Sequence, residues 1–472
     1  MLILVTTDTD VASRPLEAGG IPVRPGKRAR QKVGAHRQLV TGSAVLVVGA
    51  AVQALGGAVF WLIAANVDAK SVVGTGTALF TSVNFVTYVA GLGLPVALAR
   101  FAVGRSDDAD TIYSWSILAT VAAAAVVGTA YLGFLKIVDP PSTEPLFQSG
   151  GIWPIAFVVS VIGAALSMIF DVRCMTIRRW GWVLGRITLV SVGRLPLVLW
   201  IHPDTDPQLW LFAWSVIPLV ATGVLGAPLA NRLSGGRNRL GPRPRSTGPM
   251  IRYSAVNFIS TIGYQAPYFA LPVIVLAHVN ADTNAAFYVA WGVVSTTCWV
   301  PYAIGQALLA EGGKEGHAIQ GQVRMAMIIA IGIMAVAAVA AILGSGIITV
   351  VYGAQYDDAA RILPEMMLAG VPWAISSLYL TEARVLHRHL STVMITTSLT
   401  LAIIIPALWA VPHDGIEGAA HSWLFGNLVG MVVAMAAHFL GDRIGHSSAS
   451  LLGDAITGVE AQAAVVEVTR TP

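Results

Sequence analysis

NRLSGGRNRLGPRPRSTGPMIR fills residues 231–252, and six of its 22 positions are arginine: Arg232, Arg237, Arg239, Arg243, Arg245 and Arg252. Pro242, Pro244 and Pro249 keep it from continuing as a regular helix. The chain on both sides is of another kind. Apolar runs of about 20 residues, long enough to cross ~30 Å of hydrocarbon, recur along it. Six are expected before the arginine-rich segment, near 39–64, 72–98, 112–136, 151–172, 181–201 and 209–230. Six follow it, near 253–278, 285–310, 325–351, 362–381, 391–411 and 418–440.

Composition supports a bilayer as the solvent. Of 472 residues, 55% are hydrophobic and 11% charged, and the mean hydropathy is +0.70. A water-exposed domain carries about 25% charged residues. The expected fold is therefore an all-α integral membrane protein of about twelve transmembrane helices. Residues 39–230 and 253–440 form two six-helix lobes, with 231–252 as linker and 1–38 and 441–472 as tails. Residues 1–38 hold Pro, Gly and seven Lys or Arg, and read as a disordered basic tail. Met1-Leu2-Ile3-Leu4-Val5 is too short for the apolar core of a secretory signal, and the basic residues follow it. A faint repeat supports the division. Gly42-Ser-Ala-Val45 and Tyr253-Ser-Ala-Val256 open the first and seventh spans, and Asn66-Val-Asp68 and Asn280-Ala-Asp282 follow them.

Loop charge gives the orientation. Of 29 Lys and Arg, 25 fall in the tails and in the connections sharing a side with 231–252. The opposite connections hold Lys70, Lys136 and Arg361 and are otherwise acidic, with Asp68, Asp139, Glu144, Asp204, Asp206, Asp282, Asp357, Asp358 and Asp414. The positive-inside rule places both termini in the cytoplasm, in a multi-pass protein of the cytoplasmic membrane. The basic loops then face anionic headgroups, and the net charge of +4 calls for no nucleic acid.

Catalytic and metal signatures are lacking. Gly74-Thr-Gly76 has no third glycine for a dinucleotide loop, and no glycine-rich phosphate loop ends in Lys-Ser/Thr. His387-Arg-His389 is a basic loop with no further ligands clustered beside it, and Cys174 and Cys298 make no disulfide framework. The expectation is a transporter without metal or cofactor, not an enzyme. A membrane glycan polymerase or ligase remains the alternative from another class.

Polar residues inside the spans are candidate substrate contacts, because burying a charge in hydrocarbon costs about 2.5–3.5 kcal/mol on insertion scales. Arg194, in Val192-Gly193-Arg194-Leu195-Pro196, lies about eight residues inside span five. It reads as a cation facing an aqueous cavity and gripping phosphate, or as a residue that snorkels or pairs structurally. Arg186 and Arg100 are shallower, and a topology anchor is the competing reading for each. Gln53, Asn84, Asn257, Tyr264, Gln265 and Gln306 need partners in lipid and should face the bundle interior. Pro267, Pro272 and Pro301 are expected to interrupt spans seven and eight. Asp171, Glu311, Glu382 and Glu417 sit at span ends without an obvious buried cationic partner, so no cation-coupling site stands out.

Four stretches resemble a known family. Ala285-Ala-Phe-Tyr-Val-Ala-Trp-Gly-Val-Val294, with Val300-Pro-Tyr-Ala303 and Leu308-Leu-Ala-Glu-Gly312, is similar to the eighth-helix pattern of polysaccharide flippases. Val351-Tyr-Gly353 with Tyr356-Asp-Asp-Ala-Ala360 and Ile362-Leu-Pro364, Gly91-Leu-Gly-Leu-Pro-Val-Ala-Leu-Ala-Arg-Phe101, and Gly415-Ile-Glu-Gly-Ala-Ala420 resemble other parts of the same proteins. The family is the multidrug, oligosaccharidyl-lipid and polysaccharide exporter superfamily, in its lipid-linked oligosaccharide flippase branch. The resemblance implies two lobes forming a V and alternating access to a cationic central cavity, which suits Arg194. It implies a polyprenyl-(pyro)phosphate-linked glycan as cargo, flipped for cell-envelope polysaccharide synthesis. Membrane lipids and glycosyltransferases of that pathway would be partners. A cation-coupled drug or metabolite exporter of the same fold is the alternative within the family, although span one lacks the acid of the drug-exporter branch.

Overall fold

The computed structural model describes residue 45 and residues 48–468, apart from 92, 103–106, 141–142, 201–203, 234, 237, 239, 243–246, 313–318 and 387. The tail 1–38 lies outside the described residues. All regular structure among them is helical. The first half holds α1 (Val48–Val67), α2 (Lys70–Ala90), α3 (Leu94–Phe101), α4 (Asp107–Val138), α5 (Pro145–Gln148), α6 (Ile152–Thr176), α7 (Trp180–Gly193), α8 (Leu195–Trp200) and α9 (Pro207–Leu233). The second half holds α10 (Thr247–His278), α11 (Ala281–Gly312), α12 (Ile319–Gly344), α13 (Gly346–Tyr352), α14 (Asp357–Leu368), α15 (Gly370–Val385) and α16 (His389–Val468).

Eight of these segments are long and apolar enough to cross a membrane. Seven are single passes. The eighth, Leu390–Leu440 within α16, is two passes, because Gly415 takes the left-handed φ of 60° that a side chain resists. Its two arms then run back along each other, with Gly418 against Ala410, Gly426 against Ile403 and Gly430 against Leu399. The Gly426-xxx-Gly430 pair therefore packs within the chain. The 32-residue helices α10 and α11 and the consecutive α14–α15 supply three more passes, for twelve among the described residues.

Small residues set the closest helix crossings, as expected where apolar burial alone cannot drive association in lipid. α6 meets α9 where a Cβ on Gly223 would lie 1.9 Å from the Gly163 carbonyl oxygen. The expected breaks at proline are corrected. α10 runs through Pro267 and Pro272, and α11 runs through Pro301. A bundled helix tolerates the one lost backbone bond because neighbours re-satisfy the freed groups. The passes break instead at Gly93 (φ 70°), between α2 and α3, and at the Gly193-Arg194 junction of α7 and α8.

The halves share one apolar cluster, in which Phe60, Trp61 and Trp214 join Trp291, Trp373 and Trp423. They also meet at both ends. At the end carrying the acidic connections, Asn284 Nδ2 donates to the Gly74 carbonyl at 3.0 Å and Asn66 Nδ2 to that of Val351 at 3.2 Å. Lys70 Nζ lies 3.9 Å from Asp358 and 5.6 Å from the ring centre of Tyr356. Burial, with Tyr352, Asp282 and Asp68 nearby, pushes the Tyr356 pKa up, so that hydroxyl stays protonated. At the arginine-rich end, Gly93 fits against Ser254, where a Cβ would lie 2.4 Å from the serine carbonyl, and Phe101 meets Tyr253 at 5.8 Å.

Candidate functional site

Arg194 stands at the junction of α7 and α8. Gly193 precedes it and Pro196, two residues on, withholds its amide from the helix ladder. One turn earlier on the same face is Ser191. The pair fits a notch in α1 made by Gly56 and Gly57. A Cβ on Gly56 would lie 2.7 Å from Ser191 Cβ, and one on Gly57 would lie 3.3 Å from Arg194 Nη2. The two glycines let the guanidinium lie over the Phe60 ring, 5.0 Å from its centre.

The residue is 5% exposed. No carboxylate of the described residues pairs with it, and its Nε has no hydrogen-bond partner among them. Ser191 Oγ is likewise buried without a partner. A desolvated guanidinium held mainly by an aromatic face is a costly arrangement. Its five donors fit a phosphate or carboxylate that enters from outside the protein.

The other wall of the site belongs to the second half. Tyr288 of α11 is close enough to Arg194 to interact electrostatically, and its hydroxyl lies near Trp61 of α1 and Thr81 of α2. Trp61 packs edge-on to Tyr288 at 5.4 Å and to Phe80 at 5.7 Å. The cation thus sits on the seam between halves, where any relative movement changes its surroundings. Arg194 is legible in the sequence as a buried charge. Tyr288 is not, because a tyrosine in an apolar run carries no signal of the residue it will face across the seam.

Two of the other expected contacts, Arg186 and Asn84, bond to groups of their own half. Arg186 donates from Nε to Asp171 Oδ1 at 2.6 Å and pairs its Nη2 with the second carboxylate oxygen. Asp171 therefore has a cationic partner, and Glu382 has an imidazole, its Oε2 lying 2.7 Å from His438 Nδ1. These pairs correct the expectation that the span-end acids stand alone. Asn84 Nδ2 donates to the Phe80 carbonyl one turn back at 2.9 Å. Gln53 is exposed on α1, between Gly49 and Gly56, which touch α7. The side chains of Arg100, Asn257, Tyr264, Gln265 and Gln306 lie outside the described residues.

Sequence reasoning missed one buried cation. Arg173, counted among the loop arginines, is 1% exposed. It holds Asp110 at 2.5 Å, donates to Asn231 Oδ1 at 3.1 Å and donates to the Ala102 carbonyl at 2.8 Å. Asn231 Nδ2 in turn donates to the Asp110 carbonyl at 3.2 Å. Nε, Nη1 and Nη2 each bond inside the first half, so Arg173 fastens α4, α6 and α9 together.

No protein-family model and no curated protein matches the sequence. Solved structures do. A multidrug resistance MATE transporter of the MOP superfamily, inward-facing, superposes with a TM-score of 0.61 at 16% identity, over 84% of this chain and 95% of that one. The lipid II flippase MurJ, in an inward closed conformation, gives 0.66 at 11% identity, over 92% and 93%. A MOP superfamily transporter from Pyrococcus furiosus, whose binding pocket is described as of reversed polarity, gives 0.57 at 15% identity, over 87% and 96%. This is a multi-pass membrane protein with the two-lobed fold shared by MATE transporters and the MurJ flippase.

Proposed function

We propose that the chain moves an anionic lipid-linked glycan, a polyprenyl-(pyro)phosphate oligosaccharide, from the inner to the outer leaflet of the cytoplasmic membrane. The observation that carries this reading is Arg194, a buried guanidinium on the seam between halves with Nε unpartnered. A cation there favours a phosphate-bearing head and disfavours cationic drugs. The arginine-rich face is taken as cytoplasmic, on the strength of the loop charges. The lobe contacts at both ends suit alternating access. The head enters from the arginine-rich side, the prenyl tail stays in lipid, and the guanidinium replaces water around the phosphate. Rocking of the halves breaks the Asn284–Gly74 and Asn66–Val351 contacts and opens the acidic side. The likeness to a lipid II flippase supports the substrate class. Arg100, Asn257, Tyr264, Gln265 and Gln306 are proposed as secondary polar contacts along the path. Glycosyltransferases that build the glycan are the natural upstream partners.

Complementation tests this. In a strain lacking its own lipid-linked oligosaccharide flippase, the wild-type chain should restore surface polysaccharide. Arg194→Gln should fail at equal protein level, and Arg194→Lys should restore part of it. Full rescue by Arg194→Gln would remove Arg194 from the site. Failure of the wild type, together with ion-driven efflux of small cations by the purified protein, would replace the flippase with an exporter of the same fold.

A further inference from the structure

Resting on that reading, we infer that Ser191 is a specificity-determining residue of the Arg194 site. Its hydroxyl is the second donor to the bound anion and makes the site select a phosphate over a carboxylate.

The placement follows from α7 and α1. Val183, Ile187 and Ser191 are buried on one face of α7, and Arg194, whose backbone is still helical, extends that face by one turn. Helical side chains lean toward the N-terminus, so the arginine stem runs back over the turn that carries Ser191. Three glycines of α1 lie against this face in the same order. A Cβ on Gly49 would meet Ile187 at 2.9 Å, one on Gly56 would meet Ser191 at 2.7 Å, and one on Gly57 would meet Arg194 Nη2 at 3.3 Å. Val48, Leu55 and Val59 are exposed on α1, so a single peripheral helix layer covers that side of the pair.

Ser191 is 1% exposed and its hydroxyl has no partner among the described residues. That is unusual for a buried serine in a helix, which ordinarily bonds back to a carbonyl one turn earlier. Ser114, Ser167, Ser215, Ser376 and Ser422 all do so in this chain, at 2.6–2.9 Å. Ser191 does not, and one turn along the same face Arg194 Nε is also unpartnered. Two orphaned donors side by side are costly to bury and gain most from one acceptor that serves both.

The number of acceptor oxygens separates the candidate ligands. A guanidinium in bidentate contact engages both oxygens of a carboxylate. A phosphate keeps that paired contact and still presents a further oxygen to the serine hydroxyl. A carboxylate-bearing sugar in the glycan would therefore compete poorly with the phosphate for this site. The chain would read the carrier's phosphate and accept varied glycans.

The test uses the full chain in detergent, with polyprenyl phosphate and a prenyl carboxylic acid of equal chain length as probes, each measured by native mass spectrometry. The wild type should hold the phosphate about tenfold more tightly than the carboxylate, the worth of one charge-assisted hydrogen bond. Ser191→Ala keeps the close packing on Gly56 and removes only the hydroxyl. It should weaken phosphate binding about tenfold and leave carboxylate binding and the melting temperature unchanged. Ser191→Cys, similar in shape but a weak donor, should follow Ser191→Ala. Arg194→Gln should weaken both probes. Unchanged phosphate binding in Ser191→Ala, an equal loss for both probes, or a lower melting temperature with selectivity intact would overturn the inference. Proteoliposomes with a fluorescent polyprenyl-pyrophosphate disaccharide separate the two claims. A wild type that shows the selectivity but moves no lipid would sink the flippase reading alone. A wild type that moves lipid while Ser191→Ala keeps full selectivity would sink the inference alone.

Discussion

Two buried arginines in the first half show how surroundings decide a residue's work. Arg173 and Arg194 are both nearly inaccessible, at 1% and 5% exposure. Arg173 has a carboxylate, an amide and a carbonyl for partners, whereas Arg194 has an aromatic face and a tyrosine across the seam. Removing Arg173 leaves Asp110 without its buried counter-charge, a loss of about 3–5 kcal/mol. Arg173→Ala should therefore lower the melting temperature sharply, and unchanged thermal unfolding of the purified protein would refute the structural role. Gly57→Leu should do the opposite. It fills the notch beside Arg194 Nη2 and displaces the guanidinium, so transport should fall severalfold while folding survives. A Gly57→Leu protein with full complementation would mean the guanidinium's position is unimportant. Of this chemistry, only Arg194 was legible beforehand, as a charge deep in an apolar run. Arg173 was not, because Asp110 and Asn231 reach it from 63 and 58 residues away.

Whole helices were easier to read than their breaks. Apolar length marks a span regardless of its neighbours, which is why every expected segment corresponds to a helical pass. Breaks depend on what surrounds the backbone. Pro267, Pro272 and Pro301 sit inside continuous helices, whereas Gly93 and Gly415 turn the chain by adopting positive φ. Gly415→Ala should cost about 1–2 kcal/mol through the left-handed backbone alone, since no atom stands within 4 Å of the added Cβ. Gly223→Ala should cost more, because its Cβ would meet the Gly163 carbonyl. Thermal unfolding of the two variants ranks them, and the reverse order would contradict the close α6–α9 crossing. The six-plus-six division followed from the arginine-rich segment. The seam contacts did not, since Asn66 and Val351, or Gly74 and Asn284, are more than 200 residues apart.

At the scale of the molecule, the two halves must separate at one end for a head group to leave. Lys70→Cys with Asp358→Cys, joined by a short thiol cross-linker, should pin the acidic end shut, because the native side chains come within 3.9 Å. Flipping should stop on cross-linking and return on reduction; undiminished flipping in the pinned protein would exclude opening at that end. Cys174 and Cys298 are both buried and should stay out of the reaction. The central claim, that Arg194 holds the phosphate of a lipid-borne glycan, has a more direct test. A photoreactive benzoylphenylalanine at Phe60, beside the guanidinium, would capture what binds there in living membranes, and mass spectrometry would identify the adduct. The account predicts a prenyl-phosphate glycan that disappears when Arg194→Gln is added. An adduct with neutral or cationic small molecules, or the same lipid yield with and without Arg194, would contradict it.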